Sequence, residues 1–211
     1  MHKLMGAVPV SAAALALTAG LGAASPNGGA SGTWTVQPGG SIKATASNPT
    51  LKDAVTGTTL TCKTLTASGR AKPGSGLSGT GIASITSVTF TTCTGPAGLT
   101  FNVTPGHLPW KLNAKSYDAA TGVTKGTITG AHGALSGPGC SAVVDGTSAT
   151  ADNGTIGGTY TNSSHELRTL TMGGNLHIYR VSGCFGLIRD GDAATLKGTA
   201  SVTPGQTITS P

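Results

Sequence analysis

The sequence predicts an all-β fold, an antiparallel sandwich or barrel of many short strands with two disulfides. Threonine, valine and isoleucine recur at every second position, most clearly in Val88–Thr91 and Leu176–Tyr179, which is the period of half-buried strands. Turn dipeptides such as Asp145-Gly146 and Asn153-Gly154 separate these segments. No segment after residue 24 has a helical period, and strands spaced this closely favour an antiparallel sandwich or barrel.

Twelve segments bounded by turn signals are predicted to be strands. They are Thr33–Gln37, Ser41–Ala46, Thr58–Cys62, Ser84–Cys93, Leu99–Thr104, Trp110–Ala114, Gly126–Gly133, Cys140–Thr150, Gly157–Thr161, Leu167–Thr171, Asn175–Val181 and Ala194–Thr203.

Residues 1–24 are predicted to be a secretory signal peptide. His2 and Lys3 precede an apolar run from Leu4 to Leu21, and the small residues Gly22–Ala24 follow. This order is typical of a cleavable signal, whereas a retained anchor would be expected to carry a basic stop-transfer flank. We therefore expect a mature chain without a membrane span, secreted and either extracellular or loosely associated with the cell envelope.

The charge distribution bears on the class of partner. Charged residues make up 9% of the chain and the formal net charge is +6, whereas about 25% charged residues is typical of globular domains. The basic residues are scattered singly, but a nucleic-acid surface concentrates them on one face or helix. We therefore expect no nucleic-acid partner, and diffuse charge of this kind favours weak attraction to an anionic cell wall or membrane surface.

The four cysteines, Cys62, Cys93, Cys140 and Cys184, all lie in the part predicted to be exported. An even number of cysteines in an oxidising compartment predicts two disulfides. Three pairings are possible, and we favour Cys62–Cys93 with Cys140–Cys184. No two cysteines have the short spacing of a zinc site, so no metal is predicted there.

Residues 25–211 are predicted to form a single secreted β domain, since one domain typically has about 100–200 residues. A cysteine, several strands and then Cys-x-Gly occur twice, ending at Cys93-Thr94-Gly95 and at Cys184-Phe185-Gly186. This echo predicts two related halves within the domain, at about residues 33–115 and 120–210.

Several segments of this chain resemble small secreted proteins of actinobacteria, a family without an established activity. The segments are Trp34–Val36, Leu77–Ile82, Leu108–Ala114, Ser136–Cys140 and Asp145–Thr147, of which Leu108–Ala114 is the most specific. The resemblance extends over essentially the whole predicted mature chain. It implies export from a high-GC Gram-positive cell and a β-rich fold, and it transfers no catalytic residue.

The chain carries no catalytic signature. Gly76–Gly79 is not a nucleophile elbow, and the pair His165-Glu166 is followed by Thr169 where a zinc protease has its second histidine. Asp190 and Asp192 lack both the aromatic surroundings of a glycosidase cleft and the later ligands of a calcium loop. No catalytic residue, metal ligand or cofactor is predicted.

The segment His107, Leu108, Pro109 and Trp110 is the predicted recognition loop. A tryptophan next to proline in a loop between strands can anchor a partner, because buried aromatic side chains dominate interface energetics. The alternative is a core tryptophan that fixes the loop to the domain.

These observations predict a non-enzymatic secreted or cell-surface β protein with a binding or structural role. The candidate partners are a cell-envelope component and a small apolar ligand. A β-barrel carrier of a small apolar ligand is the first alternative, and it requires an unfilled apolar interior. A secreted hydrolase with an unrecognised site is the second, and it requires a cleft that gathers a histidine with an acid or a serine. An ice- or polysaccharide-binding surface would require a regular threonine array, and no fixed repeat is present.

Overall fold

A computed structural model describes residues 32–211, and the predicted signal peptide of residues 1–24 lies outside the described residues. The described chain consists of sixteen strands, all paired antiparallel, and two short 3-10 turns. The strands are β1 Trp34–Gln37, β2 Gly40–Ser47, β3 Thr50–Asp53, β4 Thr59–Ala71, β5 Gly74–Leu77, β6 Ala83–Thr94, β7 Thr100–Gly106, β8 Trp110–Asp118, β9 Val123–Gly137, β10 Cys140–Asp145, β11 Gly154–Thr161, β12 Glu166–Thr169, β13 His177–Gly183, β14 Ala194–Lys197, β15 Thr199–Thr203 and β16 Thr207–Thr209.

The all-β class is confirmed, and each of the twelve predicted strands overlaps an observed one. Most predicted bounds differ from the structure by a few residues, and three differences are the largest. The strand predicted to end at Cys62 continues to Ala71, the strand predicted to end at Thr150 stops at Asp145, and Ala194–Thr203 is divided into β14 and β15. The short strands β3, β5 and β16 were not predicted.

Eight strands close on themselves and form what we call the first barrel. Their order around the wall is β2, β4, β6, β8, β9, β11, β12 and β15, and β15 pairs with β2 to complete the ring. Of the two predicted architectures, the structure therefore has the barrel.

A second ring of eight strands, the second barrel, shares part of this wall. Its order is β3, β4, β6, β7, β9, β10, β13 and β14. The closure between β13 and β14 consists of a single bridge, His177 with Ala193, flanked by two backbone hydrogen bonds of 2.8 Å. β14 pairs with β3 to complete the ring.

The long strands β4, β6 and β9 belong to both barrels. They contain 13, 12 and 15 residues, whereas strands in globular proteins are usually shorter. One part of each long strand pairs within the first barrel and the other part within the second. Each barrel draws four strands from the chain before residue 120 and four from the chain after it.

A three-stranded sheet covers one end of the first barrel, and we call it the end sheet. It has the order β16, β1, β5, so that the first and last strands of the described chain are neighbours. Trp34, Val36 and Ile208 of this sheet pack on Tyr160 and Val202 of the barrel wall.

Tyr160 also holds the end sheet through hydrogen bonds. Its hydroxyl donates to the carbonyl oxygen of Gln206 at 2.8 Å and accepts from the backbone N–H of Gln206 at 3.0 Å. The side-chain carbonyl of Gln206 in turn accepts from the backbone N–H of Gly39 at 2.8 Å. Burial raises the pKa of Tyr160, which keeps its hydroxyl neutral and able to donate.

The predicted disulfide pairing, Cys62–Cys93 and Cys140–Cys184, is confirmed. Cys62 and Cys93 are directly opposite each other on β4 and β6. Cys140 begins β10, and Cys184 lies in the turn that follows β13. Within residues 32–211, no helix combines the length and the hydropathy needed to cross a membrane.

Candidate functional site

The interior of the first barrel contains an apolar cavity of about 140 Å³. Residues from all eight strands of that barrel line it, together with Val36 and Ile208 of the end sheet. The lining is almost entirely apolar. Eight-stranded barrels have interiors that are either just filled by side chains or able to hold one small ligand, and the interior of this barrel is not completely filled.

Small inward-facing side chains leave the cavity open. Along β2, Ala44 and Ala46 face the interior while Lys43 and Thr45 are exposed to solvent. Ala67 on the neighbouring strand β4 is directly opposite Ala44 and also lines the cavity. Because an alanine methyl group reaches only a short distance from the wall, the centre of the barrel stays unfilled.

Two lining positions are fixed as glycine by the packing of the wall. A Cβ atom on Gly126 would lie 2.2 Å from the carbonyl oxygen of Asn113, and one on Gly69 would lie 2.0 Å from that of Ser84. Both distances are shorter than any real Cβ contact, so the barrel wall itself excludes side chains at these two points of the lining.

The lining also contains one buried polar group without a partner. The Oγ1 atom of Thr124, on β9, is buried and has no hydrogen-bond partner among the described residues. Buried hydroxyls are normally hydrogen-bonded, so this one is an exception. Because the Oγ1 atom has almost no accessible surface, it adds little polarity to the cavity, whose surface stays almost entirely apolar.

Trp110 separates this cavity from a second one of about 60 Å³ on the side of the second barrel, and it lines both. Its ring is buried, and its Nε1–H donates to the carbonyl oxygen of Gly106 at 3.0 Å. Trp110 thus has the core position that sequence analysis gave as the alternative to a recognition role.

The rest of the predicted recognition loop is partly accessible. His107 and Pro109 are exposed, while Leu108 is half-buried and packs against the main core. The segment stays a predicted recognition loop, and its accessible side chains are those of His107 and Pro109.

A cluster of histidines and carboxylates surrounds His107, and sequence analysis did not identify it. The ring of His107 stacks on that of His132, with centroids 4.2 Å apart and planes at 21°. Nδ1 of His107 contacts Oδ1 of Asp152, and Nδ1 of His132 lies 3.3 Å from the same oxygen. The other carboxylate of the cluster is Asp145, whose Oδ2 lies 3.0 Å from Nδ1 of His132.

Asp145 is the buried member of this cluster, with a side chain 0% exposed. Its carboxylate accepts hydrogen bonds from the backbone N–H groups of Gly146, Asp152 and Asn153. Burial opposes ionisation of this carboxyl, but the hydrogen bonds from His132 and from these backbone groups outweigh burial and hold its pKa below the ordinary 3.8.

The contact of His132 with Asp145 resembles the histidine–carboxylate pair of a catalytic triad, which is the arrangement that the hydrolase alternative requires. A triad needs a nucleophile within hydrogen-bond reach of the histidine. In residues 32–211, no serine, threonine or cysteine side chain hydrogen-bonds to His132. The contacts of Asp145 and Asp152 therefore orient the His132 imidazole, and no contact in residues 32–211 shows it activating a nucleophile.

Comparisons with models of known protein families, with curated proteins and with solved structures find no match to this chain.

Proposed function

We propose that this protein is a non-enzymatic extracellular binding protein that carries a small apolar ligand inside the first barrel. The observation that supports this function is the apolar cavity of about 140 Å³ lined by the barrel wall and the end sheet. The second barrel, with cavities of about 60 and 50 Å³, leaves less room for a ligand.

The size of the cavity limits the ligand. An engineered apolar cavity of about 150 Å³ in another protein stays dry and binds benzene or xenon. A ligand of this barrel should therefore have roughly the size of a monocyclic aromatic molecule. Because the lining is almost entirely apolar and the Thr124 hydroxyl is inaccessible, a hydrocarbon such as benzene or toluene should bind better than phenol, whose hydroxyl would be buried without a partner.

The extracellular location is supported by two features. The N-terminal sequence has the order of a secretory signal. Both pairs of cysteines form disulfides, which persist mainly in oxidising compartments. Among residues 32–211, no serine, threonine or cysteine side chain hydrogen-bonds to His132, which is consistent with the non-enzymatic part of the proposal.

Titration with xenon, benzene, toluene and phenol tests the proposal directly. Binding should shift the NMR signals of methyl groups that line the cavity and should raise the Tm as the concentration of free ligand rises. Residues outside the first barrel should show little change.

A matched pair of variants on β2 sharpens the test. Ala44 lines the cavity and packs against two clusters of core residues. Ala44→Leu therefore places a larger, branched side chain in the cavity and should abolish ligand binding. Thr45→Leu changes the adjacent, outward-facing position and should leave binding unchanged. Equal binding by both variants, or no binding of any probe by the unmodified chain, would rule out the carrier function and leave a structural role in the envelope.

A further inference from the structure

We propose that His107, His132 and Asp152 form a binding site for one divalent transition-metal ion. The three side chains come from distant parts of the sequence and meet between the β7–β8 loop, strand β9 and the loop before β11. This site does not depend on the apolar cavity of the first barrel.

The donor atoms are close enough to share an ion. One nitrogen of each histidine and one carboxylate oxygen of Asp152 all lie within 4.8 Å of one another. Tetrahedral zinc with bonds of about 2.0–2.1 Å holds its ligands roughly 3.4 Å apart. Side-chain rotations must bring these three groups onto an ion, and His107 and Asp152, with side chains 51% and 40% exposed, have the freedom to make them.

Asp145 provides the second feature of a metal site, an anchor for one of the ligands. Histidines that bind metals usually donate their other ring N–H to a carboxylate or carbonyl, which fixes the ring orientation. Nδ1 of His132 lies 3.0 Å from Oδ2 of the fully buried Asp145 and 3.3 Å from Oδ1 of Asp152. Asp145 thus holds the His132 ring by its Nδ1 edge, and an ion at Nε2 requires the partly exposed Asp152 side chain to turn away from Nδ1. Three backbone N–H groups hold the Asp145 carboxylate in place.

The backbone conformation also orients two of the proposed ligands. His107 and Asp152 both have a left-handed backbone, with φ of 54° and 52°, which is uncommon for residues other than glycine. Such conformations persist where the surrounding structure enforces them, and they concentrate at ligand sites. Gly106 contributes by its lack of a side chain, because a Cβ atom there would lie 3.0 Å from Cδ2 of His132.

The ligand set indicates the class of ion. Two imidazoles and one carboxylate suit Zn²⁺, Cu²⁺, Ni²⁺ and Co²⁺, whereas Ca²⁺ and Mg²⁺ prefer sites made of oxygen atoms alone. Three protein ligands on a partly exposed surface leave a coordination position for water or for a partner's side chain. We therefore expect zinc to bind and calcium to be rejected.

Zinc titration of the purified chain tests the site. The protein is prepared without a histidine tag and dialysed against a chelator, and binding is measured by calorimetry and by metal analysis after dialysis. All four cysteines are in disulfides, so thiols will not contribute to the signal. We expect one Zn²⁺ per chain with a Kd of about 1 μM or tighter, and no binding of Ca²⁺.

Variants at the ligands identify the residues that bind. His107→Ala and Asp152→Asn should each weaken zinc binding at least about tenfold, and both positions are exposed enough to be replaced without loss of the fold. His165→Ala, at another exposed histidine, is the matched control and should bind zinc as the unmodified chain does. Ala44→Leu should likewise keep its zinc affinity, which separates this site from the carrier function.

Asp145 is a positioning residue, and its role has its own readout. Asp145→Asn should weaken zinc binding about 10–100-fold and change the visible absorption spectrum of the Co²⁺ complex, an effect that general destabilisation does not produce. The proposal is overturned if the unmodified chain binds zinc more weakly than about 1 mM, or if the ligand variants bind it as tightly as His165→Ala.

Discussion

The hydroxyl of Tyr160 is one polar link between the first barrel and the end sheet, beside the two hydrogen bonds of the Asn162 side chain to the backbone of Ile208, so Tyr160→Phe tests how firmly the end sheet is held. The substitution keeps the aromatic ring and removes two hydrogen bonds to the backbone of Gln206, of 2.8 and 3.0 Å. Gln206 is only 3% exposed, so its N–H and C=O groups are left without water as a replacement partner. An unpaired buried group costs about 1–3 kcal/mol, and two of them predict a loss of about 2–6 kcal/mol in the free energy of unfolding.

Urea denaturation measures this loss, and hydrogen exchange locates it. Exchange should accelerate most at β16 and at Gly39, whose N–H donates to the Gln206 side chain. Tyr117→Phe is the matched control, since Tyr117 packs against the same core and its hydroxyl makes no hydrogen bond within the described residues. A loss below about 0.5 kcal/mol for Tyr160→Phe, or equal losses for both variants, would refute the assigned role.

Three further predictions follow from the packing, the disulfides and the carboxylates. Gly126→Ala should lower the free energy of unfolding by about 1–3 kcal/mol, because the new methyl group would lie 2.2 Å from a backbone carbonyl oxygen. Gly133→Ala on the same strand is the control: its new methyl group would have its nearest neighbour at 3.5 Å, so stability should change by less than about 1 kcal/mol. Equal urea midpoints for the two variants would contradict this prediction. Replacing both cysteines of the disulfide between β4 and β6 by serine opens a loop of 31 residues and should cost about 3–4 kcal/mol in the same assay. Partial burial, together with a hydrogen bond to Asp53 and the charge of that residue, raises the pKa of Asp192. The stability linked to Asp192 is therefore complete below its unfolded pKa of about 3.9 and is lost as the pH rises through the raised folded value. The Tm of Asp192→Asn should rise relative to that of the unmodified chain as the pH increases from about 4 to 7, and a difference in Tm that is independent of pH would contradict the coupling.

The strands with large apolar residues could be predicted from the sequence, and those that line the cavity with small residues were harder to delimit. Val88–Thr91 has a clear alternation and lies inside an observed strand. The second part of β4 was missed because its inward positions are occupied by Ala67, Gly69 and Ala71, which carry little hydrophobic signal. The small residues that leave the cavity open thus also weaken the alternation of apolar and polar residues from which the wall strands are predicted.

The cluster of histidines and carboxylates could not be predicted from the sequence, for a different reason. His107, His132, Asp145 and Asp152 are separated by intervals that match no metal or catalytic motif. Asp145 belongs to one turn dipeptide and Asp152 precedes another, and neither was predicted to bind a ligand. Their proximity depends on pairings of β9 with β7 and of β9 with β10, and these pairings are long-range properties of the barrel.

Because the two barrels share strands, neither half of the chain contains all the strands of a barrel. A cut between β8 and β9 would leave each fragment with four of the eight strands of both rings. Both fragments would then expose unpaired strand edges, which promote association with other chains. Neither predicted half can therefore be a self-sufficient module, and fragments expressed separately should recover a folded structure only by combining with each other.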